Sequence, residues 1–313
     1  MERSAAKERS GRPLTYACYG LTIASDLALP ELIEAGPDAD PQNADVRIRL
    51  GVVPTEGLPE GRQLGPFLWV TPDRLWLRVP EVARYLVSGG DSIVVAPEGD
   101  IDEDSLRVFL LGSALGALLF QRGFLVLHGN AIRIGDQCMV CVGHSGAGKS
   151  TLAAALMHRG YEILADDVVP VDAECRVLPG FPRLKLWQDA AGRLDIDTAG
   201  LRRIRPDLEK FNYPVHDRYA GRPLPVRWVY ILDSHHLSET RFETIAGMDR
   251  FRPLRNNTYR VRFLEGMALK AEHLRLCGRL AGRVQLTRVI RPRHSFDLDA
   301  LVDRILDDAA ASP

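Results

Sequence analysis

Between residues 143 and 151 the chain reads GHSGAGKST, and after a helix-length stretch it reads LADDV at 164–168. Gly143, Gly148, Lys149 and Ser150 have the G-x-x-x-x-G-K-[ST] spacing of a P-loop, and each residue type has a task in holding phosphate. Glycines let successive backbone N–H groups curl inward as an anion nest, and a following helix adds its positive end. The lysine reaches the outer phosphates, and the serine hydroxyl can ligate Mg²⁺. His144, Ser145, Gly146 and Ala147 complete the loop, with Thr151 just after it. A nucleotide phosphate site is the expectation.

Asp166 and Asp167 close an apolar YEIL run one helix after the loop, which places them at the end of the strand beside it. Ligand crevices of open α/β sheets form at the carboxyl ends of strands. Neighbouring strand residues face opposite ways, so one carboxylate can hold Mg²⁺ near Ser150 while the other meets an incoming hydroxyl. The bland alternative is a helix cap or a solvated strand end. His128 closes the LVLHG run one strand before the loop. On position alone it reads as a hydrogen-bonded core or edge residue.

The elements that must carry these side chains follow from the pattern of the chain. Residues 13–100 hold short alternating runs, ADVRIRLGV, FLWV, RLWLRV and SIVVA, with a hairpin turn at Thr71–Arg74. Cap-type residues from Asp102 to Ser105 precede an apolar helix, Leu106–Phe120. The order then becomes strand, loop, helix and strand, the grammar of an α/β layer. RWVYILD (227–233) reads as a further strand, and LRLCGRLAG and DLDALVDRILDDA as helices. The final AAASP reads as frayed. The expected organisation is a β-rich N-terminal domain over 1–101 and a P-loop catalytic domain over 102–313.

Composition narrows the functions. Against 40 basic stand 41 acidic side chains, a formal net charge of −1, so no global field draws the protein to nucleic acid or an anionic membrane. The polar start MERSAAKERSGRP lacks a signal-type apolar core, and Leu106–Phe120 is too short to span about 30 Å of hydrocarbon. A cytoplasmic protein is expected. Five scattered cysteines fit a reducing compartment, and Cys138 and Cys141 read as core residues on opposite strand faces. LVSGGD (86–91) is like a transporter-ATPase signature but precedes the loop, so it reads as a turn. No N-K-x-D is present to read guanine.

Taken together, residues 127–169 resemble the core of the HPr kinase/phosphorylase family. The resemblance rests on His128-Gly129, the loop Gly143–Ser150, Arg159-Gly160 and Ala165-Asp166-Asp167. It implies an α/β kinase core related in fold to phosphoenolpyruvate carboxykinase, moving the γ-phosphate of ATP to a serine hydroxyl. By that analogy Asp166 and Ser150 would hold Mg²⁺, Asp167 would be the general base, His128 would line the site and Lys149 would neutralise the phosphoryl group. The chain departs from the family in two places. Thr151 stands where the family has a further metal-site glutamate, and LPGFPRLKLW (178–187) stands in place of an E-I-R-G-L-G-type signature. It is more similar to the divergent branch encoded with lasso peptides, which phosphorylates the C-terminal residue of a precursor; YACYGLTIASDLALPEL and PRLKLW also resemble that branch.

The expected activity is thus an ATP- and Mg²⁺-dependent serine kinase for a small protein or peptide, most readily a lasso-type precursor. An HPr-directed kinase and a nucleotide switch without transfer are the alternatives, and a homo-oligomer stays open. Arg183 and Lys185 share one face of PRLKLW and read either as solvated charges or as grips for phosphate or an acidic peptide. The arginines of MDRFRPLRNNTYRVRF (248–263) read as surface charge, with Arg260 as a possible phosphate grip. His235-His236 reads as loop.

Overall fold

A computed structural model describes residues 13–99, 102–205, 208–236, 238–293 and 297–311. The polar segment 1–12, on which the lack of a signal segment was read, and residues 100–101 at the expected domain boundary lie outside the described residues.

Residues 14–97 build a mixed nine-stranded sheet in which Val46–Leu50 pairs in parallel with Leu21–Ser25 and with Ser92–Pro97, and the other pairs are antiparallel. Ala83–Ser88 alternates strictly between buried and half-buried residues, the period-2 signature of a strand with one covered face. Thr71–Arg74 makes the expected hairpin turn, with Thr71 N–H donating to Arg74 O at 2.8 Å. Of LVSGGD, residues 86–88 end the strand Ala83–Ser88 and only the last three residues make the turn to the next one, with Gly89 and Gly90 at positive φ.

The cover of this sheet is the apolar helical stretch that begins at Glu103, capped by the Asp102 carboxylate on the N–H groups of Asp104 and Ser105. It runs to Gln121 through a π-helical segment at Leu110–Ala114. Leu110, Leu115 and Leu118 are fully buried in one cluster with Ile23, Tyr85, Val87 and Val95 of the sheet. Two glycines on this helix, Gly112 and Gly116, lie against Tyr259; a methyl group at either would come within 3.1 and 2.8 Å of its side chain.

A second sheet carries the loop. Its centre is Gln137–Gly143, paired in parallel with Leu224–His235 and antiparallel with Gly129–Ile134. Gln285–Pro292 extends the sheet in parallel beyond Leu224–His235. The aspartate strand, Ile163–Asp166, pairs antiparallel with Gly129–Ile134. The expectation that this strand lies beside the loop strand is therefore corrected: one antiparallel strand intervenes. That insertion places the start of Gly129–Ile134, and His128 before it, level with the carboxyl ends of the strands on both sides.

The sheet is covered on both faces, so its strands read as unbroken apolar runs. Cys138 packs into the cluster with helix Lys270–Ala281, and Cys141 into the opposite cluster with helices Lys149–His158 and Leu298–Ala310. All five cysteines are free and buried, as the odd separation and the reducing composition imply. Of the AAASP read as frayed, Ala309 and Ala310 instead close helix Leu298–Ala310, with Ala309 buried, and Ser312 and Pro313 lie outside the described residues. His235 is the last residue of a strand rather than loop, its Nε2 2.9 Å from Glu239 O. No helix among the described residues is long and apolar enough to cross a membrane.

Candidate functional site

The loop strand ends at Gly143, where a side chain would lie 2.6 Å from Leu232 O, so only glycine lets the two strands approach this closely. Gly146 and Gly148 take φ of 81° and 94°, and Gly148 caps the helix Lys149–His158. Ser145, Gly146, Gly148, Lys149, Ser150 and Thr151 line one cavity. Ala147 instead turns into the apolar core, while Gly143 and His144 face a neighbouring cavity. Lys149 folds back over the loop, its Nζ donating to Gly143 O at 2.8 Å and His144 O at 3.0 Å. Burial lowers its pKa, with Asp167 and Asp166 acting the other way.

The same cavity contains His128, Asp166 and Asp167. Asp166 is the last residue of its strand and is buried. Its Oδ1 accepts from Asn130 Nδ2 and its Oδ2 from Lys185 N–H at 2.7 Å. Burial and the neighbouring Asp167 raise its pKa, against the Lys185 N–H and the charges of Lys210 and Lys185. Asp167 departs from the strand at φ 72°, a conformation Asp tolerates better than most residues and one that marks functional turns. Strand alternation does not separate the two carboxylates, because Asp167 lies beyond the strand end and both line one cavity; they differ in their partners.

Asp167 reaches Lys185 Nζ with Oδ2 at 2.7 Å, and its Oδ1 lies 3.2 Å from His128 Nδ1. Burial would raise the Asp167 pKa, but the Lys185 ammonium and the His128 ring outweigh it and hold the carboxyl well below the usual range. His128 Nδ1 is also 3.0 Å from Asp167 O, and the backbone N–H of His128 donates to Asn257 O at 2.7 Å, so both the ring and the backbone beneath it are held. Next to it, Gly129 passes so near the loop strand that a side chain would fall 2.3 Å from Cys141 O.

Arg183–Trp187 forms a two-stranded ribbon with Lys210–Pro214, and this ribbon closes the site. Arg183 and Lys185 are 5% and 6% exposed, which corrects the reading of both as solvated charges. Lys185 meets the aspartates, whereas Arg183 lies outside the lining of the loop cavity. Arg183 donates to Asn212 Oδ1 at 3.0 Å, stacks on Phe181 and stands 3.8 Å from Glu31. Lys210, opposite Trp187 in the ribbon, adds a third lysine to the cavity, its ammonium 5.3 Å from the Trp187 ring centroid. Asn130, Lys210, Trp187 and Asp189 are site residues that motif spacing missed. Asn130 had a signal, since it follows His128 by two along a strand and so shares its face.

A metal can be tested against these groups. No cluster of three or more metal-binding His, Cys, Asp or Glu exists among the described residues. Mg²⁺ in nucleotide sites needs only one or two protein oxygens, with phosphates and water supplying the rest. The Ser150 hydroxyl and the Asp166 carboxylate line one cavity, and each Asp166 oxygen keeps a lone pair beyond its single hydrogen bond. The donor set fits. Arg260 lies in the neighbouring cavity, with Gly143 and His144 of the loop and with His128 and Asp167.

Fold and site together describe a mixed α/β protein with a glycine-rich anion loop and a charged constellation beside it. No protein-family model matches the chain, and no curated protein matches it. Among solved structures it is similar to the HPr(Ser) kinase/phosphatase from Coxiella burnetii, with 15% sequence identity over 59% of this chain and 95% of that one, and a TM-score of 0.29. A likeness of that size transfers no chemistry, which rests on the residues themselves.

Proposed function

We propose that the protein is an ATP- and Mg²⁺-dependent kinase that phosphorylates a serine hydroxyl of a small protein or peptide, a lasso-type precursor being the acceptor the sequence resemblance favours. The observation that carries this reading is the meeting of Asp167, His128 and Lys185 in the cavity of the phosphate loop. A loop that only held nucleotide would need none of the three.

In this reading the loop amides and Lys149 take the β- and γ-phosphates, and Lys149 exchanges its loop carbonyls for phosphate oxygens. Ser150 and Asp166 would hold Mg²⁺, which would supply charge neutralisation on the phosphates. Asp167 accepts the hydrogen bond of the acceptor hydroxyl. The acceptor's hydroxyl oxygen attacks the γ-phosphorus, the bond from phosphorus to the β–γ bridging oxygen breaks, ADP leaves, and the hydroxyl proton passes to Asp167. A carboxyl held this acidic is a weak base, so its main contribution is orientation, as suits a loose transition state. Lys185 and Lys210 carry positive charge toward the transferring group.

The test is transfer of label from ATP to serine peptides by the wild type and by Asp167→Asn. The reading expects a fall of about a hundredfold or more in transfer, with nucleotide binding kept. Nucleotide binding with no transfer by the wild type to any peptide or to HPr would instead favour a switch, in which Lys185 merely neutralises Asp167.

A further inference from the structure

We propose that the acceptor enters through a second cavity that joins the first at His128 and Asp167, and that Arg260 there binds a carboxylate carried close to the reacting hydroxyl. This rests on the kinase reading above and names the chemistry of its acceptor.

The geometry comes from two cavities. The one holding the phosphate loop and the one holding Arg260 share His128 and Asp167 and no other lining residue. In-line displacement brings the attacking oxygen in opposite the leaving oxygen, so donor and acceptor need separate approaches meeting at the residue that orients the hydroxyl. The second cavity, of about 510 Å³, provides one. One wall runs from Asn256 to Arg260, and Gly143 and His144 at the start of the loop line the cavity together with His128 and Asp167.

That wall is built to hold its shape. The Asn257 carbonyl accepts from His128 N–H at 2.7 Å, and Tyr259 N–H donates to Val126 O at 2.8 Å. Tyr259 is buried against Gly112 and Gly116, at the point where the covering helix goes through its π-helical segment. Such segments recur at functional sites. The Tyr259 ring lies 5.8 Å from that of His128, and the Arg260 guanidinium sits 5.7 Å from Tyr259 and 6.0 Å from Phe263. Arg260 adopts φ 41°, a left-handed conformation that a long side chain rarely takes without a reason.

Charge decides what the cavity receives. Arg260 is exposed and makes no ion pair among the described residues. Asp167, the only carboxylate on the wall, is already paired with Lys185. The nucleotide phosphates have Lys149, Lys185 and Lys210 in the first cavity, so Arg260 is left for one further negative charge. Asn256 and Asn257 beside it offer amide groups for a peptide. A guanidinium matches a carboxylate through paired N–H groups. With the hydroxyl at Asp167, that carboxylate belongs to the same or an adjacent residue: a chain terminus or an acidic side chain.

Steady-state kinetics with three peptides test this: one ending in serine as the free acid, the same peptide as its amide, and one with an internal serine followed by aspartate. For the wild type the free acid or the Ser-Asp peptide should have a KM roughly tenfold or more below that of the amide. Whichever of the two is favoured identifies the source of the carboxylate. Arg260→Gln should raise the favoured KM roughly ten- to fiftyfold, to the level of the amide, with the KM for ATP unchanged. Arg260→Lys should recover part of the loss. Arg260→Gly takes the same backbone conformation freely and carries the test if Arg260→Gln folds poorly. Equal KM values for all three peptides, or no effect of Arg260→Gln, overturn the role of Arg260 and leave the kinase reading standing. A wild type that binds ATP and labels none of the peptides and no protein acceptor overturns both.

Discussion

Lys185→Met removes the ammonium that balances Asp167 while keeping most of the side chain's bulk. The pair is 2.7 Å apart, with Lys185 8% and Asp167 22% exposed. Breaking a buried pair by removing one partner costs about 3–5 kcal/mol. Asp167 keeps His128 and some access to water, so a loss of about 2–3 kcal/mol at pH 7 is expected from urea unfolding. The sign with pH follows from the Asp167 carboxyl, whose folded pKa is held well below the usual range by Lys185 and His128 despite burial. A group lowered in this way contributes stability that is fully present above its unfolded pKa of about 4 and is lost as pH falls through the folded value. The gap between wild type and Lys185→Met should therefore be widest near neutrality and close in acid. The acid limb of the transfer reaction should also move to higher pH in the variant, because Asp167 then protonates more readily. Unfolding midpoints that differ by a constant amount from pH 7 down to pH 3, with an unmoved acid limb, would refute the claim that Lys185 sets the charge of Asp167.

Three further outcomes are expected. Gly129→Ala forces a methyl group to 2.3 Å from Cys141 O at the centre of the sheet, and should cost about 3 kcal/mol or prevent folding; an unchanged urea midpoint would contradict the register of these strands. Chelation of Mg²⁺ should abolish transfer until the ion is restored, and Ser150→Ala should raise the Mg²⁺ concentration needed for half-maximal rate, measured against an unaltered fold by circular dichroism.

The glycine-rich loop was legible because its conformation is local: Gly146 and Gly148 take positive φ and the helix starts at Lys149, all within one turn of chain. The aspartates and His128 were legible as candidates for the same reason, each ending an apolar run. What spacing could not give was their order in the sheet, since a single antiparallel strand inserted between loop and aspartates leaves both apolar patterns unchanged. Arg183 and Lys185 show a different limit. The alternation in RLKLW separates two faces, but it says nothing of whether the polar face meets water or buried carboxylates. Here Lys185 meets Asp166 and Asp167, where an ion pair and a backbone hydrogen bond replace hydration, while Arg183 turns to Asn212, Phe181 and Glu31. Lys210 and Trp187 come together only when the two strands of the ribbon pair, a contact that no short motif encodes.

The seat of Tyr259 against Gly112 and Gly116 divides inheritance within the molecule. On the proposed reading the nucleotide is handled by the second sheet and its loop, whereas the wall from Asn256 to Arg260 leans on a helix whose other side is the core of the first sheet. Drift in residues 256–260 can thus alter what is presented to Asp167 while the phosphate machinery is copied unchanged, and the first sheet serves as the foundation on which that change is made.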